Sequence, residues 1–234
     1  MKPYAVLFDM DGVLIDSYEA HFEAWTESCA QRGIQLTRER YARLFGQSFL
    51  SFVEDLCPAA PGTAGGFSGK TSLTEAAVEQ WHDEKELLYR SRIRRAFPEM
   101  AGAGDLIRDL FQAGFVLGIA SSGPRENVDC LLEHLPHAGC IRFTISATEA
   151  RRAKPDPEPY LKCAQGLGIA AERCAVVEDS IHGLQAARSA GMRAVALTGT
   201  ATAGELSRYA DRVITRLADL NAEDLRRFID RNNP

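Results

Sequence analysis

The run Ala5-Val6-Leu7-Phe8 passes without a break into Asp9-Met10-Asp11-Gly12-Val13-Leu14, and the architecture follows from that junction. Four consecutive apolar residues suit a strand buried on both faces, which is the signature of a parallel sheet rather than a half-exposed antiparallel one. Comparable runs recur at 115–120, 141–145, 174–177 and 194–197. Helix-like stretches lie between them, at 103–113, 125–135, 157–167 and 183–190. Gly114, Gly168 and Gly191 follow three of these, where a left-handed cap is expected to end a helix. Strand, helix, glycine, strand in repetition predicts an α/β fold: a Rossmann-like, doubly wound parallel sheet.

Residues 16–90 interrupt that alternation. Tyr18, Phe22, Trp25 and Cys29 step by four, three and four, so they share one helix face. Asp16 is placed to cap this helix and Gly33 to end it. Ser72-x-x-Glu75 reads as the capping box of a second helix, with Leu73, Ala77, Trp81 and Leu88 along one face. No strand signal separates the two. Pro58–Gly69, rich in Gly, Ala and Pro, reads as a mobile loop. The expected organisation is an α/β core made of residues 1–15 and 91–234, with an all-helical domain of residues 16–90 inserted after the first strand.

The 234 residues are 45% hydrophobic and 25% charged, a balance that fits a soluble globular chain and not a disordered one. With 27 Lys+Arg against 32 Asp+Glu the net charge is −5, which argues against nucleic-acid binding because that depends on basic patches. No segment reaches the roughly 20 apolar residues of a membrane span, and the N-terminus lacks the long uncharged region of a signal peptide. Six scattered cysteines without a CxxC pair look like reduced thiols. A cytoplasmic protein with no membrane or nucleic-acid partner is expected; nothing in the sequence fixes its number of subunits.

The ends of the apolar runs carry the chemistry. In open α/β sheets ligands bind at the carboxyl ends of the strands. Asp9 and Asp11 sit at the first such end, where oxygen ligands can hold a divalent cation and a carboxylate can attack phosphorus; turn or cap roles are the plain alternative. Ser121-Ser122-Gly123 ends the second run and offers a hydroxyl and backbone N–H groups to phosphate oxygens. Lys154, between Ala153 and Pro155, follows the third. Glu178-Asp179 ends the fourth, and adjacent acids at a buried strand end are costly unless they are paired or bind a cation.

Taken together, Asp9-x-Asp11-Gly12, Ser121, Lys154 and Glu178-Asp179 resemble the four motifs of the haloacid dehalogenase (HAD) superfamily, in order and across nearly the whole chain. The helical insertion is similar to the C1-type cap of the β-phosphoglucomutase and phosphoglycolate phosphatase branch. The resemblance implies a HAD-like fold and a phosphatase acting on a small phosphorylated metabolite, a sugar phosphate or phosphoglycolate, through an aspartyl-phosphate. Asp9 is then the nucleophile, Asp11 the general acid and base, Ser121 with Ser122 and Gly123 the phosphate cradle, and Lys154 the neutralising cation. Mg2+ is implied as cofactor, held by Asp9, the Asp11 carbonyl and Asp179, with Glu178 as a further or outer-shell ligand. The acid at Asp11 is unlike the dehalogenases of the superfamily, which lack it, and unlike P-type ATPases, which carry Thr there.

Substrate choice in this branch sits in the cap. His21 and Lys85 resemble the His and Lys of β-phosphoglucomutases, and Gly46 and Gln47 fall where relatives carry a specificity loop. Phe22 and Trp25 read as cap core. Phe49 departs from the mutases, which resemble this chain but place an arginine there for a distal phosphate; Arg43 and Arg125 are the candidate substitutes. No lysine lies in 43–52, which ranks a phosphonatase low. A mutase is the alternative reading, and a non-catalytic binding protein stands behind it. Ala64-Gly65-Gly66-Phe67-Ser68-Gly69-Lys70-Thr71 nearly spells a P-loop, but no strand signal precedes it.

Overall fold

The computed structural model describes residues 3–46, 48–59 and 70–230. Its elements begin with β1 (Ala5–Phe8), α1 (Tyr18–Ala30), α2 (Arg38–Leu44), α3 (Phe49–Leu56) and α4 (Glu75–Arg95). There follow α5 (Ala103–Gln112), β2 (Val116–Ala120), α6 (Arg125–His134), β3 (Ile141–Ile145), α7 (Glu158–Leu167) and β4 (Cys174–Glu178). The last are α8 (Ile181–Ser189), β5 (Arg193–Leu197), α9 (Ala203–Leu206), β6 (Arg212–Ile214) and α10 (Ala222–Asp230). The chain divides into two compact units, Met1–Ser17 with Phe97–Pro234, and Tyr18–Ala96.

In the first unit six parallel strands form one sheet in the order β3-β2-β1-β4-β5-β6. This is the doubly wound order, which reverses direction beside β1. Ala5, Val6, Leu7 and Phe8 are all completely buried, as a central strand covered on both faces requires. Alternation sends Ala5 and Leu7 to the core shared with α7 and α8, where Val176, Cys163 and Leu184 pack, and turns Val6 and Phe8 to the other face. A Cβ on Gly118 of β2 would stand 2.7 Å from the Cys163 sulfur, so the bare glycine lets α7 lie close on the sheet. The chain leaves this unit after Ser17 and re-enters at Phe97. There Asp16 N donates to the Pro98 carbonyl at 2.9 Å and Met100 N to the Leu14 carbonyl at 3.0 Å, which ties the two crossings together.

Gly114, Gly168 and Gly191 each adopt positive φ behind a helix. β6 and the cap of α4 differ from the sequence expectation. β6 is a sixth strand of only three residues, with Ile214 alone buried, too short and too exposed to give a periodic signal. The N-cap of α4 is Thr74, not Ser72, because the Thr74 hydroxyl accepts from Ala77 N at 3.3 Å.

The second unit is helical, and α1 and α4 pack against each other with α3 on α4. It contains two more helices, α2 and α3, than the apolar periodicity had indicated. Its core is aromatic: Trp25 stacks on Phe49 at 4.9 Å and on Phe52 at 4.4 Å, with Trp81 edge-on at 5.9 Å. Such pairs add about 0.5–1.5 kcal/mol each beyond their buried area. Trp81 Nε1 donates to Ser28 Oγ at 3.1 Å, which satisfies the one polar atom of a fully buried indole. The α4 face that is buried runs Val78, Trp81, Lys85, Tyr89 and Ile93, whereas Ala77 and Leu88 are half-buried.

None of the six cysteines is in a disulfide. No helix among the described residues is long and apolar enough to cross a membrane.

Candidate active site

The carboxyl ends of β1 and β4 lie side by side. Asp9 N donates to the Val177 carbonyl at 3.0 Å, which extends the ladder one step past β1 and leaves the Asp9 side chain at the rim, 8% exposed. The chain then turns sharply at Gly12, whose φ is +81°. A Cβ there would collide with the Asp179 carboxylate, so the residue between the first acid pair and its helix-ward continuation has to be glycine on two counts.

Lys154 reaches in from the loop after β3. Its Nζ donates to Asp9 Oδ1 at 2.5 Å and to Glu178 Oε1 at 2.8 Å, and lies over the Tyr160 ring at 4.8 Å. The loop is held by Glu158, whose carboxylate accepts from Arg151 N and Arg152 N at 3.1 Å each and pairs with Lys162 at 2.8 Å.

Glu178 is saturated. Its Oε2 accepts from Asp179 N at 2.9 Å, Ser180 N at 2.8 Å and Ser180 Oγ at 2.9 Å; its Oε1 accepts from Lys154 and from the Tyr160 hydroxyl at 3.1 Å. A carboxylate offers about four lone-pair sites, and these five bonds use them up. A Cβ on Gly183 would collide with the same carboxylate, so α8, capped by Ser180, starts as close to it as a backbone can. Asp179 accepts a hydrogen bond from Thr200 Oγ1 in the loop after β5.

The electrostatics follow from burying this many charges together. Burial pushes the Asp9 carboxyl up to about 7 against the pull of Lys154, with the charges of Glu178 and Asp11 adding to the rise. Burial, then the charges of Glu178 and Asp9, push Asp179 well above the usual carboxylate range. Burial also opposes the charge of Glu178, yet Lys154 and the bonds from Lys154 and Ser180 prevail and hold it below its ordinary value. Burial opposes the Lys154 charge too, but Asp9 and Glu178 keep its ammonium well above the usual lysine range. Lys154 is thus a fixed cation and Glu178 its fixed counter-ion, while Asp9 and Asp179 are left with more negative charge than the protein neutralises.

Asp9, Glu178 and Asp179 bring carboxylate oxygens within 4.8 Å of one another. An all-oxygen donor set with uncompensated negative charge fits a hard divalent cation, and with Glu178 saturated the coordination capacity lies on Asp9 and Asp179.

The loop after β2 meets the same rim. Ser121 is buried and its Oγ accepts from Gly123 N at 2.9 Å, while Ser122 is exposed. A Cβ on Gly123 would stand 3.6 Å from the Met10 methyl, so this loop abuts the Asp9–Asp11 turn. Arg125, a candidate anion binder in the sequence, is engaged elsewhere: it pairs with Glu149 and donates to Thr144 Oγ1 at 2.8 Å.

In the helical unit, Lys85 and His21 come together. Lys85 Nζ lies 2.9 Å from His21 Nδ1 and 2.8 Å from Glu86 Oε1, and the His21 ring stacks on Tyr89 at 4.0 Å. Lys85 is therefore a buried, paired lysine rather than a solvated helix charge. Phe49 packs on Trp25 and edge-on to His82 at 4.8 Å, as part of the aromatic core. Gly46 is exposed with φ +81°. Gln47 lies outside the described residues, as do 60–69 of the proline- and glycine-rich segment and most of the P-loop-like stretch. The two described members of that stretch do not behave as a P-loop: Thr71 bridges to Pro58, and α4 begins only at Glu75.

Tyr160 and Thr200 were not singled out by the sequence. A tyrosine two residues inside a helix and a threonine in a loop acquire meaning only when the fold brings them to Glu178 and Asp179.

A doubly wound sheet whose strand ends gather acids, one fixed lysine and a hydroxyl loop defines an enzyme built around an anionic centre. Residues 4–191 match the haloacid dehalogenase-like hydrolase family. The beta-phosphoglucomutase of Bacillus subtilis (strain 168) is 31% identical over 222 residues, 94% of this chain and 92% of that one. The phosphorylated carbohydrates phosphatase of Thermotoga maritima is 28% identical over 191 residues, 82% of this chain and 83% of that one. A solved HAD hydrolase of family IA, variant 3, from Entamoeba histolytica superposes with a TM-score of 0.83 at 25% identity, covering 97% of this chain and 99% of that one. The chain belongs to the haloacid dehalogenase-like hydrolase family and is a phosphoric monoester hydrolase.

Proposed function

We propose that this hydrolase is an Mg2+-dependent phosphatase of small phosphomonoesters, of the sugar-phosphate or phosphoglycolate class, working through an aspartyl-phosphate. The observation that carries the reading is the convergence of Asp9, Lys154, Glu178 and Asp179 at adjacent strand ends. Phosphoryl transfer asks chiefly for positioning and for neutralising charge on the equatorial oxygens. Asp9 is the nucleophile, its attacking oxygen forming the new bond to phosphorus as the ester oxygen departs. Asp11 protonates that leaving oxygen and then takes a proton from the water that hydrolyses the acyl-phosphate. Ser121, Ser122 and Gly123 bind phosphoryl oxygens, and Lys154 offsets their charge. Glu178 keeps Lys154 in place. Asp9 and Asp179 are the side chains that would hold Mg2+, with the Asp11 carbonyl, and Mg2+ would supply the positive charge that Lys154 alone does not.

The test is turnover of a panel of phosphorylated metabolites with Mg2+. Release of inorganic phosphate from a sugar phosphate, abolished by Asp9→Ala, is expected; full activity in that variant or in EDTA would refute it. A mutase is the second reading, favoured by the contact between His21 and Lys85 and by the likeness to the Bacillus subtilis protein. Phe49, packed among aromatic rings where the mutases carry an arginine, weighs against it. Conversion of β-glucose 1-phosphate to glucose 6-phosphate with a bisphosphate primer would support the mutase, and free phosphate as sole product would exclude it.

A further inference from the structure

Away from the strand-end site, one helix carries a second group of ligand-type side chains. Cys130, Glu133 and His134 stand at positions i, i+3 and i+4 of α6, the spacing that puts side chains on one helix face as neighbours. The thiol sulfur, a carboxylate oxygen and an imidazole nitrogen lie within 4.8 Å of one another. Their exposure is graded, with Cys130 buried, His134 half-buried and Glu133 exposed, so the group opens to solvent on one side.

The histidine is held in two ways. His134 Nδ1 lies 3.0 Å from the Cys130 carbonyl, and with the proton on Nδ1 this is a hydrogen bond back onto the helix. A contact of this kind fixes the tautomer and orientation of metal-ligating histidines. Phe97 stacks on the ring at 5.9 Å and 22°. His134 also stands in the last turn of α6, where the carbonyl ends favour positive charge.

The donor set separates this group from the strand-end acids. Mg2+ is a hard cation that takes oxygen ligands, whereas sulfur and imidazole select borderline cations such as Zn2+, which accept Cys, His and carboxylate in tetrahedral geometry. We propose that Cys130, Glu133 and His134 form a second metal site on α6, for a cation of the zinc class, with solvent as the fourth ligand. On binding, the thiol releases its proton to solvent and the sulfur coordinates as thiolate.

The experiment is a Co2+ titration of the full chain in excess Mg2+, followed by competition with Zn2+. A thiolate-to-cobalt charge-transfer absorption is expected, bleached by Zn2+, retained in Asp9→Asn and absent in Cys130→Ser. His134→Gln and Glu133→Gln, at less buried positions, are expected to weaken Zn2+ binding by more than the roughly tenfold that loss of an outer-shell partner costs. They decide the matter if Cys130→Ser does not fold. Absence of the absorption in the unmodified chain, its persistence in a folded Cys130→Ser, or unchanged Zn2+ affinity in both other variants would overturn the site.

Discussion

Among the described residues two lysine side chains are enclosed, and they are used in opposite ways. Lys154 and Lys85 are equally enclosed, each side chain 5% exposed, and each makes a 2.8 Å bond to a glutamate. Lys85 meets the Glu86 carboxylate and His21 Nδ1, so its cluster pairs one ammonium with one carboxylate. Lys154 faces Asp9 and Glu178, with Asp179 beside them, and the carboxylates outnumber it. The helical unit shows what a self-sufficient buried ion pair looks like. In the strand-end cluster the carboxylates outnumber the lysine, and burial together with the neighbouring acids raises the Asp9 and Asp179 carboxyls. Under the proposed function, a cation would supply that positive charge and a phosphoryl group would then enter a balanced field.

The largest expected break in that comparison is at Asp9. Asp9→Asn should lower p-nitrophenyl phosphate turnover by roughly 10⁴-fold or more, as removal of a nucleophile does, with an unchanged circular dichroism spectrum. Next come the lysines themselves. Removing one partner of a buried pair costs about 3–5 kcal/mol, so Lys85→Met and Lys154→Met should each lower the urea midpoint strongly. Adding Glu86→Gln should restore most of the loss in the first, because the matched pair is then gone. Adding Glu178→Gln should not rescue the second: Asp9 and Asp179 remain, and an amide cannot accept all the bonds that converge on Glu178. Equal rescue in both backgrounds would erase the distinction.

A smaller effect is expected from the cation. At a hundredfold excess over its dissociation constant, Mg2+ should stabilise the protein by about 2.7 kcal/mol, read as a higher unfolding temperature. The shift should vanish in Asp179→Asn, and activity lost to EDTA should return with Mg2+. The smallest is at Glu158, whose carboxyl is held down at about 2 by Lys162 and the backbone of Arg151 and Arg152. A depressed carboxyl stabilises the fold above its ordinary range and stops doing so as pH falls through the folded value. The difference in unfolding temperature between the unmodified chain and Glu158→Gln should therefore be full near neutrality and shrink from about pH 4.5 downward to about pH 2.

Much of the core was readable because burial on both faces leaves uninterrupted apolar runs, and because acids at the ends of such runs are costly enough to stand out. β6 left no such trace: Arg212 and Val213 are only half-buried. α2 and α3 were missed because they are short and sit between glycine-, serine- and proline-containing turns. The cap of α4 moved from Ser72 to Thr74 because two hydroxyl residues compete within three positions, and backbone geometry decides between them. Lys154 and the acid pairs could be read as a set, but the burial of Lys85 could not, since Glu86, its partner, looks from the sequence like any exposed helix charge. Tyr160 and Thr200 act on acids 18 and 21 positions away, a distance at which no local pattern connects them.

The strand order also sets when the site can exist as the chain is made. β1 is synthesised first but lies between β2 and β4, and Asp9 meets Lys154 across 145 positions. A nascent chain that has not yet extruded β4 therefore has one open edge on its innermost strand and no Glu178 to anchor the lysine. On the proposed function such an intermediate would be catalytically silent, and its exposed edge is of the kind that invites pairing with other chains. On the proposed function, hydrolysis would begin only after the open edge of β1 has been covered by β4, so activity in a cell-free translation should report completed folding rather than mere chain length.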